Sequence, residues 1–197
     1  MTEDQRLARG TRTRQRIARR AVDIASVEGL TGLSLGRLAT ELELSKSGIQ
    51  TLFRTKENLQ LAAAEAAQAE FTAAVLLPAE EVADGAARLR ALIEHWITYA
   101  ETPLFAGGCF WSATLPDFDS RPGPVREVLL GQHSAWLAHL AGRVSRAVTA
   151  GEIRALDPDL TAFQLDAVLT AANTAMRLGD AGAAEKVRRT VTQLLGG

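Results

Sequence analysis

One stretch, LSLGRLATELELSKSGIQTLFRTKENL, running from Leu33 to Leu59, constrains this chain more than any other. Leu35, Leu38, Ala39 and Leu42 keep the i, i+3, i+4, i+7 spacing of one helix face, and Ser34 supplies an N-cap before them. Leu44 fills a tight turn. Ser45 then caps a second short helix that directs Ile49, Leu52 and Phe53 inward and leaves Lys46, Ser47, Gln50 and Thr51 outward. Thr55 caps the next helix at once. Upstream, Arg12 to Glu28 reads as a basic helix with Ile17, Ala21, Ile24 and Ala25 on one face, closed by Gly29 in the usual C-terminal glycine position. This layout is a helix-turn-helix near an N-terminus, and the second helix of such a unit lies in the DNA major groove.

Hydrophobic residues make up 47% of the 197, many of them alanine, while aromatic residues make up only 5%. Alanine- and leucine-rich segments with few β-branched clusters point to an all-α fold, long enough to bury a sizeable core. The net charge of −1 is unevenly spread: residues 1–56 carry 11 Lys+Arg against 6 Asp+Glu, and the remainder 11 against 17. A basic head on an acidic body suits a chain that touches DNA at one end. The lone cysteine, Cys109, excludes an intramolecular disulfide and a cysteine-rich metal site. His95, His133 and His139 lack metal-ligand spacing, so no metal is expected. No phosphate loop, dinucleotide fingerprint or nucleophile elbow points to a cofactor or to catalysis. The polar start MTEDQRLARGTRTRQR lacks the apolar segment of a leader, and nothing approaches the roughly 20 apolar residues of a membrane span. The expected location is cytoplasmic, with no membrane partner.

Residues 1–10 are polar, precede the first helical pattern and are expected to be mobile. The helix capped by Thr55 runs through an alanine-rich segment to about Leu77, with Pro78 after it. Leu89, Leu92, Ile93, Trp96, Ile97 and Ala100 mark an amphipathic helix within Ala83–Thr102, stopped by Pro103. From Leu104 to Pro124 the pattern is less regular, with a short helix at Cys109–Leu115 and then a loop. A long helix spans about Val125–Thr149. Asp157 and Pro158 open another, to about Leu178, and a last one covers Ala181–Leu195. The expected organisation is a three-helix head, residues 1–55, continuing through the fourth helix into a helical body, residues 56–197, without a flexible tether.

The helix-one pattern RTRQRIARRAVDIASVEGL, the segment TGLSLGRLATELELSKSGIQTLF and the opening RTKENL together resemble the TetR/AcrR family of bacterial transcriptional regulators. The resemblance implies a homodimer joined through 158–178 and 181–195. It implies a head that binds double-stranded DNA at a palindromic operator, and a C-terminal ligand-binding and dimerisation bundle. A small-molecule effector bound there would release the DNA, which makes a repressor. It further implies that Lys56 contacts backbone phosphate. Two positions depart from the family pattern: Gln50 stands where an aromatic, often tyrosine, is common, and Leu52 where histidine is frequent. Gln50 keeps the capacity to meet a phosphate or to hydrogen-bond an adenine edge.

Candidate DNA-binding residues follow from this layout. Lys46, Ser47, Gln50 and Thr51 occupy the outward face of the second short helix, and Ser34 and Arg37 start the helix before it. Arg12 and Arg14 can reach a neighbouring phosphate or the minor groove. In the body, Trp96, Tyr99, Phe105, Phe110, Trp111, Phe118 and Trp136 are core material singly and, as a group beside the irregular segment, candidate walls of a partly apolar effector pocket. Cys109 lies among them, and His133, Asn173 and Arg177 are polar groups able to orient a ligand. Leu165, Val168, Leu169, Ala172 and Met176, interspersed with alanines, suit a close helix–helix interface. Two other readings compete: a small helical enzyme or sensor using Cys109 or His133, and an adaptor whose helix-turn-helix makes only protein contacts.

Overall fold

Helices account for the architecture, with no strand among the described residues; the structure is a computed structural model in which residues 3–196 are described. In chain order come α1 (Glu3–Glu28), a 3-10 turn (Leu30–Gly32), α2 (Leu35–Glu41), α3 (Lys46–Phe53) and α4 (Lys56–Phe71). A π-helical stretch (Thr72–Leu76) leads into α5 (Leu77–Glu80). There follow α6 (Ala86–Glu101), α7 (Phe110–Phe118), α8 (Pro124–Thr149), α9 (Pro158–Arg177) and α10 (Ala183–Leu195). The chain forms two compact units: residues 3–69 with 105–129, and residues 70–104 with 130–196. The first boundary falls inside the run that begins as α4.

Three elements differ from the sequence expectation. Helix α1 starts at Glu3 instead of Arg12, because the intervening residues are mostly good helix formers and contain no proline. The mobility expected of residues 1–10 is thus replaced by helix from Glu3; Met1 and Thr2 lie outside the described residues. The fourth helix does not stop before Pro78. It widens through the π-helical stretch and continues past Pro78, which stands at the start of α5. Helix α7 is longer than expected, with Cys109 as N-cap residue and Pro116 inside.

In the first unit, the apolar face of α1 (Ile17, Ala21, Val22, Ile24 and Ala25) is buried together with Leu30, Leu33, Leu38, Ile49, Phe53 and Leu59. Phe105 and Phe110 complete this core, their ring centroids 6.5 Å apart in an edge contact. Helix α7 packs on α1. The approach is close: a Cβ on Gly107 would stand 2.0 Å from the Ser26 carbonyl oxygen. The Gly107 N–H donates to Ser26 Oγ at 2.8 Å, and the Ala106 N–H to Asp23 Oδ1 at 3.2 Å. At the other end of α7, Asp117 Oδ2 accepts from the Thr31 hydroxyl at 3.0 Å. These anchors offset the cost of keeping Pro116 within a helix.

In the second unit, α9 packs on α10 and on α6. Leu89, Leu92, Ile97, Leu140, Val144, Leu165, Leu169, Val187, Val191 and Leu195 are buried there. Asp157 caps α9 by accepting the Leu160 N–H at 2.8 Å, as its position before Pro158 predicts. Leu160, Phe163 and Leu178 remain exposed, at 57%, 65% and 84% of their full surface.

Candidate nucleic-acid interface and effector site

The helix-turn-helix closes on its own caps. Ser34 Oγ accepts the Arg37 N–H at 3.0 Å, and Ser45 Oγ accepts the Gly48 N–H at 3.0 Å. Between them the chain reverses through Glu43, whose φ of 54° puts a non-glycine residue in the left-handed region. Ile49 and Phe53 are buried, while Lys46, Ser47, Gln50 and Thr51 are all exposed on α3. The Thr51 hydroxyl donates back to the Ser47 carbonyl at 2.8 Å. Gln50 and Lys46 thus offer the freest polar ends of this face.

The basic candidates divide by what already holds them. Arg12 is exposed. Arg14 is half-buried: its guanidinium lies 4.7 Å from the centre of the Phe53 ring and donates to the Leu52 carbonyl at 2.9 Å, tying α1 to the end of α3. Arg37 meets Glu28 at 2.6 Å and Glu41 at 2.8 Å, and Glu41 also meets Arg20 at 2.7 Å. The hydrogen bonds from Arg37 hold the Glu28 and Glu41 carboxyls below the usual glutamate range, and those two carboxylates push the Arg37 guanidinium up. Lys56, the first residue of α4, donates from Nζ to the Thr31 carbonyl at 2.6 Å. An ammonium has three donors, so two remain to face a phosphate.

In the second unit, aromatic rings from the end of α4, from α6 and from α8 form one cluster. Phe71 meets Tyr99 edge-on at 5.2 Å and Trp136 edge-on at 5.5 Å, and Trp96 meets Tyr99 at 6.3 Å. Asp166 of α9 adds a carboxylate: Oδ1 accepts from Trp136 Nε1 at 2.9 Å, and Oδ2 lies 3.0 Å from His133 Nε2. The hydrogen bond to Asp166 raises the His133 pKa above the ordinary imidazole value, against partial burial. His139, stacked on Trp136, is pushed the other way by burial and by the Arg143 charge. Arg143 is itself buried and pairs with Glu80 and, at 3.4 Å, with Asp84. Among the described residues no group of acidic, histidine or cysteine side chains is arranged to hold a metal ion, and no helix is long and apolar enough to cross a membrane.

Residues 85–191, more than half of the chain, match the family model of the tetracyclin repressor-like C-terminal domain. The chain belongs to the TetR family. A TetR transcriptional regulator from Chloroflexus aurantiacus is 25% identical, with 96% of this chain and 95% of that one covered at a TM-score of 0.84. AibR, in a structure with isovaleryl coenzyme A and operator DNA, is 22% identical over 92% and 98% of the two chains, at a TM-score of 0.77. A putative transcriptional regulator from Saccharomonospora viridis, in complex with choline, is 20% identical over 94% and 96%, at 0.76. No curated protein matches the sequence.

In this TetR-family chain the residues singled out in the sequence are not gathered in one place. Ser34, Arg37, Lys46, Ser47, Gln50, Thr51 and Lys56 all belong to the unit that contains α1–α3, with Arg12 and Arg14. Of the effector candidates, Trp96, Tyr99, His133, Trp136, Asn173 and Arg177 fall in the second unit; Asn173 is buried and Arg177 exposed. Phe105, Cys109, Phe110, Trp111 and Phe118 fall in the first, where Phe105, Cys109 and Phe110 are buried. Sequence reasoning missed Asp166 and Phe71; the one signal for Asp166 was a carboxylate set within the apolar stripe of α9. It also missed Arg54, which is exposed and held at φ 62° in a γ-turn closed by the Thr55 N–H on the Phe53 carbonyl at 2.7 Å. Arg54 follows directly on the last residue of α3.

Proposed function

We propose that this chain is a ligand-responsive DNA-binding transcriptional regulator, a repressor that reads a palindromic operator as a homodimer. The observation that carries the reading is the α3 face. Lys46, Ser47, Gln50 and Thr51 are exposed together on a capped helix whose opposite side is buried, the arrangement by which a second helix enters a major groove. Dimerisation through α9 and α10 is supported by Leu160, Phe163 and Leu178, large apolar side chains exposed on and just beyond α9. Catalysis at Cys109 or His133 has little support: Cys109 is buried, and the two residues belong to different units.

The effector is a partly apolar small molecule seated against the rings around Trp136, with Asp166 and His133 as its polar partners. Relatives solved with isovaleryl coenzyme A and with choline support a small-molecule site in the body of this fold. Effector and operator weaken each other by the same factor, typically 1–3 kcal/mol of coupling. The test is selection of duplexes from a random DNA pool by the purified protein at fixed moderate salt. A recovered palindrome with half-sites about one helical turn apart is the expected result. Weak binding without enrichment, abolished by salt, overturns the reading and favours an adaptor.

A further inference from the structure

A chain of hydrogen bonds links α7 to the lysine that faces DNA in the reading above. Asp117 Oδ2 accepts the Thr31 hydroxyl at 3.0 Å and the Thr31 N–H at 3.4 Å. The carbonyl of the same Thr31 accepts Lys56 Nζ at 2.6 Å. Thr31 sits in the 3-10 turn, which is clamped on a second side by the Gln60 side-chain amide donating to the Leu30 carbonyl at 2.8 Å. Gly29 makes the contact possible. Its φ is +73°, and a Cβ there would stand 2.0 Å from Asp117 Oδ2, so a side chain at 29 would displace the carboxylate.

We infer that Asp117 is a positioning residue for DNA binding: through Thr31 it fixes where the Lys56 ammonium points. The argument is geometric. A lysine has four rotatable stem bonds, and fixing the direction of its ammonium in advance lowers the entropy cost of meeting a phosphate oxygen. The Thr31 carbonyl does so here, and that carbonyl is held in turn by the carboxylate on the other side of its own residue. Asp117 bonds to Thr31 and makes no ion pair with Lys56. Its effect on affinity therefore exists only while Lys56 is present, and it is felt as a change in the number of phosphates neutralised.

This inference rests on the DNA-binding reading, and one experiment separates the two. Affinity for the duplex recovered by selection is measured across a salt series for the full chain, for Asp117→Ala, for Lys56→Ala and for the double variant. The expected result is a loss of about 3- to 10-fold for Asp117→Ala when Lys56 is present and less than about 2-fold when it is not, as members of one hydrogen-bond network couple. The salt slope of Asp117→Ala falls toward that of Lys56→Ala, about 2 lower for a dimer. Equal losses in both backgrounds, or an unchanged slope, overturn the inference while leaving the DNA reading intact. Failure of the unaltered chain to bind any duplex overturns both. Should Asp117→Ala unfold, Thr31→Val removes the hydroxyl and keeps the carbonyl; the same coupling with Lys56 is expected, and its absence overturns the inference.

Discussion

Two basic residues of the head illustrate how a charge can serve the fold or the ligand. Arg14 spends its guanidinium on the Leu52 carbonyl and the Phe53 ring. Arg14→Ala is expected to lower stability by about 1–2 kcal/mol in denaturant melts and to leave the salt slope of DNA binding unchanged. Lys56→Ala has the opposite signature: affinity falls similarly on all sequences, and the slope drops by about 2 per dimer. The pairs around Arg37 give a pH signature. Because the Glu28 and Glu41 carboxyls lie below their ordinary value in the fold, the stability they confer is complete above about pH 4.5 and is lost as pH falls through their lowered values. Unfolding midpoints should therefore fall on acidification below pH 4.5, less steeply in Arg37→Ala. In the body the sign reverses: His133 is raised, so its pairing with Asp166 stabilises fully below about pH 6.5 and fades as pH rises through the raised value. Asp166→Asn should bring the His133 imidazole titration, followed by NMR, down toward the ordinary value. The sequence made the α3 face legible because helical spacing separates Lys46 and Gln50 from Ile49 and Phe53. It could not show that Arg14 is held by Leu52 and Phe53 or that Arg37 meets Glu28, since those partners lie on other helices.

Among the elements, α6 and α9 were readable almost residue by residue, because the spacing of Leu89 to Ala100 and the Asp157-Pro158 start are local signals. Helix α7 was not. A proline within a helix reads as its end, and only the anchoring of Asp117 on Thr31 and of Gly107 on Ser26 explains why Phe110–Phe118 holds together. Gly107→Ala is expected to destabilise the chain by about 2 kcal/mol or more, because the added methyl would meet backbone. Gly10→Ala is the control. Nothing lies within 4 Å of a Cβ there, and α1 should gain about 0.5–1 kcal/mol in the same denaturation assay.

At the scale of the whole chain, the basic surplus of residues 1–56 points to a DNA-facing head, yet a linear cut does not describe the compact units. Residues 105–129 belong with α1–α4, and nothing in their composition announces it; the contacts that recruit them include a close backbone approach, the buried Phe105 and Phe110, and hydrogen bonds to Asp23, Ser26 and Thr31. The consequence appears in a chimera that grafts this head onto a relative's body. Splicing at a single point in α4 would leave α1 facing a foreign α7 in place of this chain's own Gly107 and Asp117, which meet Ser26 and Thr31. Portability of the DNA-reading module therefore requires two exchanged segments, and swapped sensors built with one should lose solubility before they lose specificity.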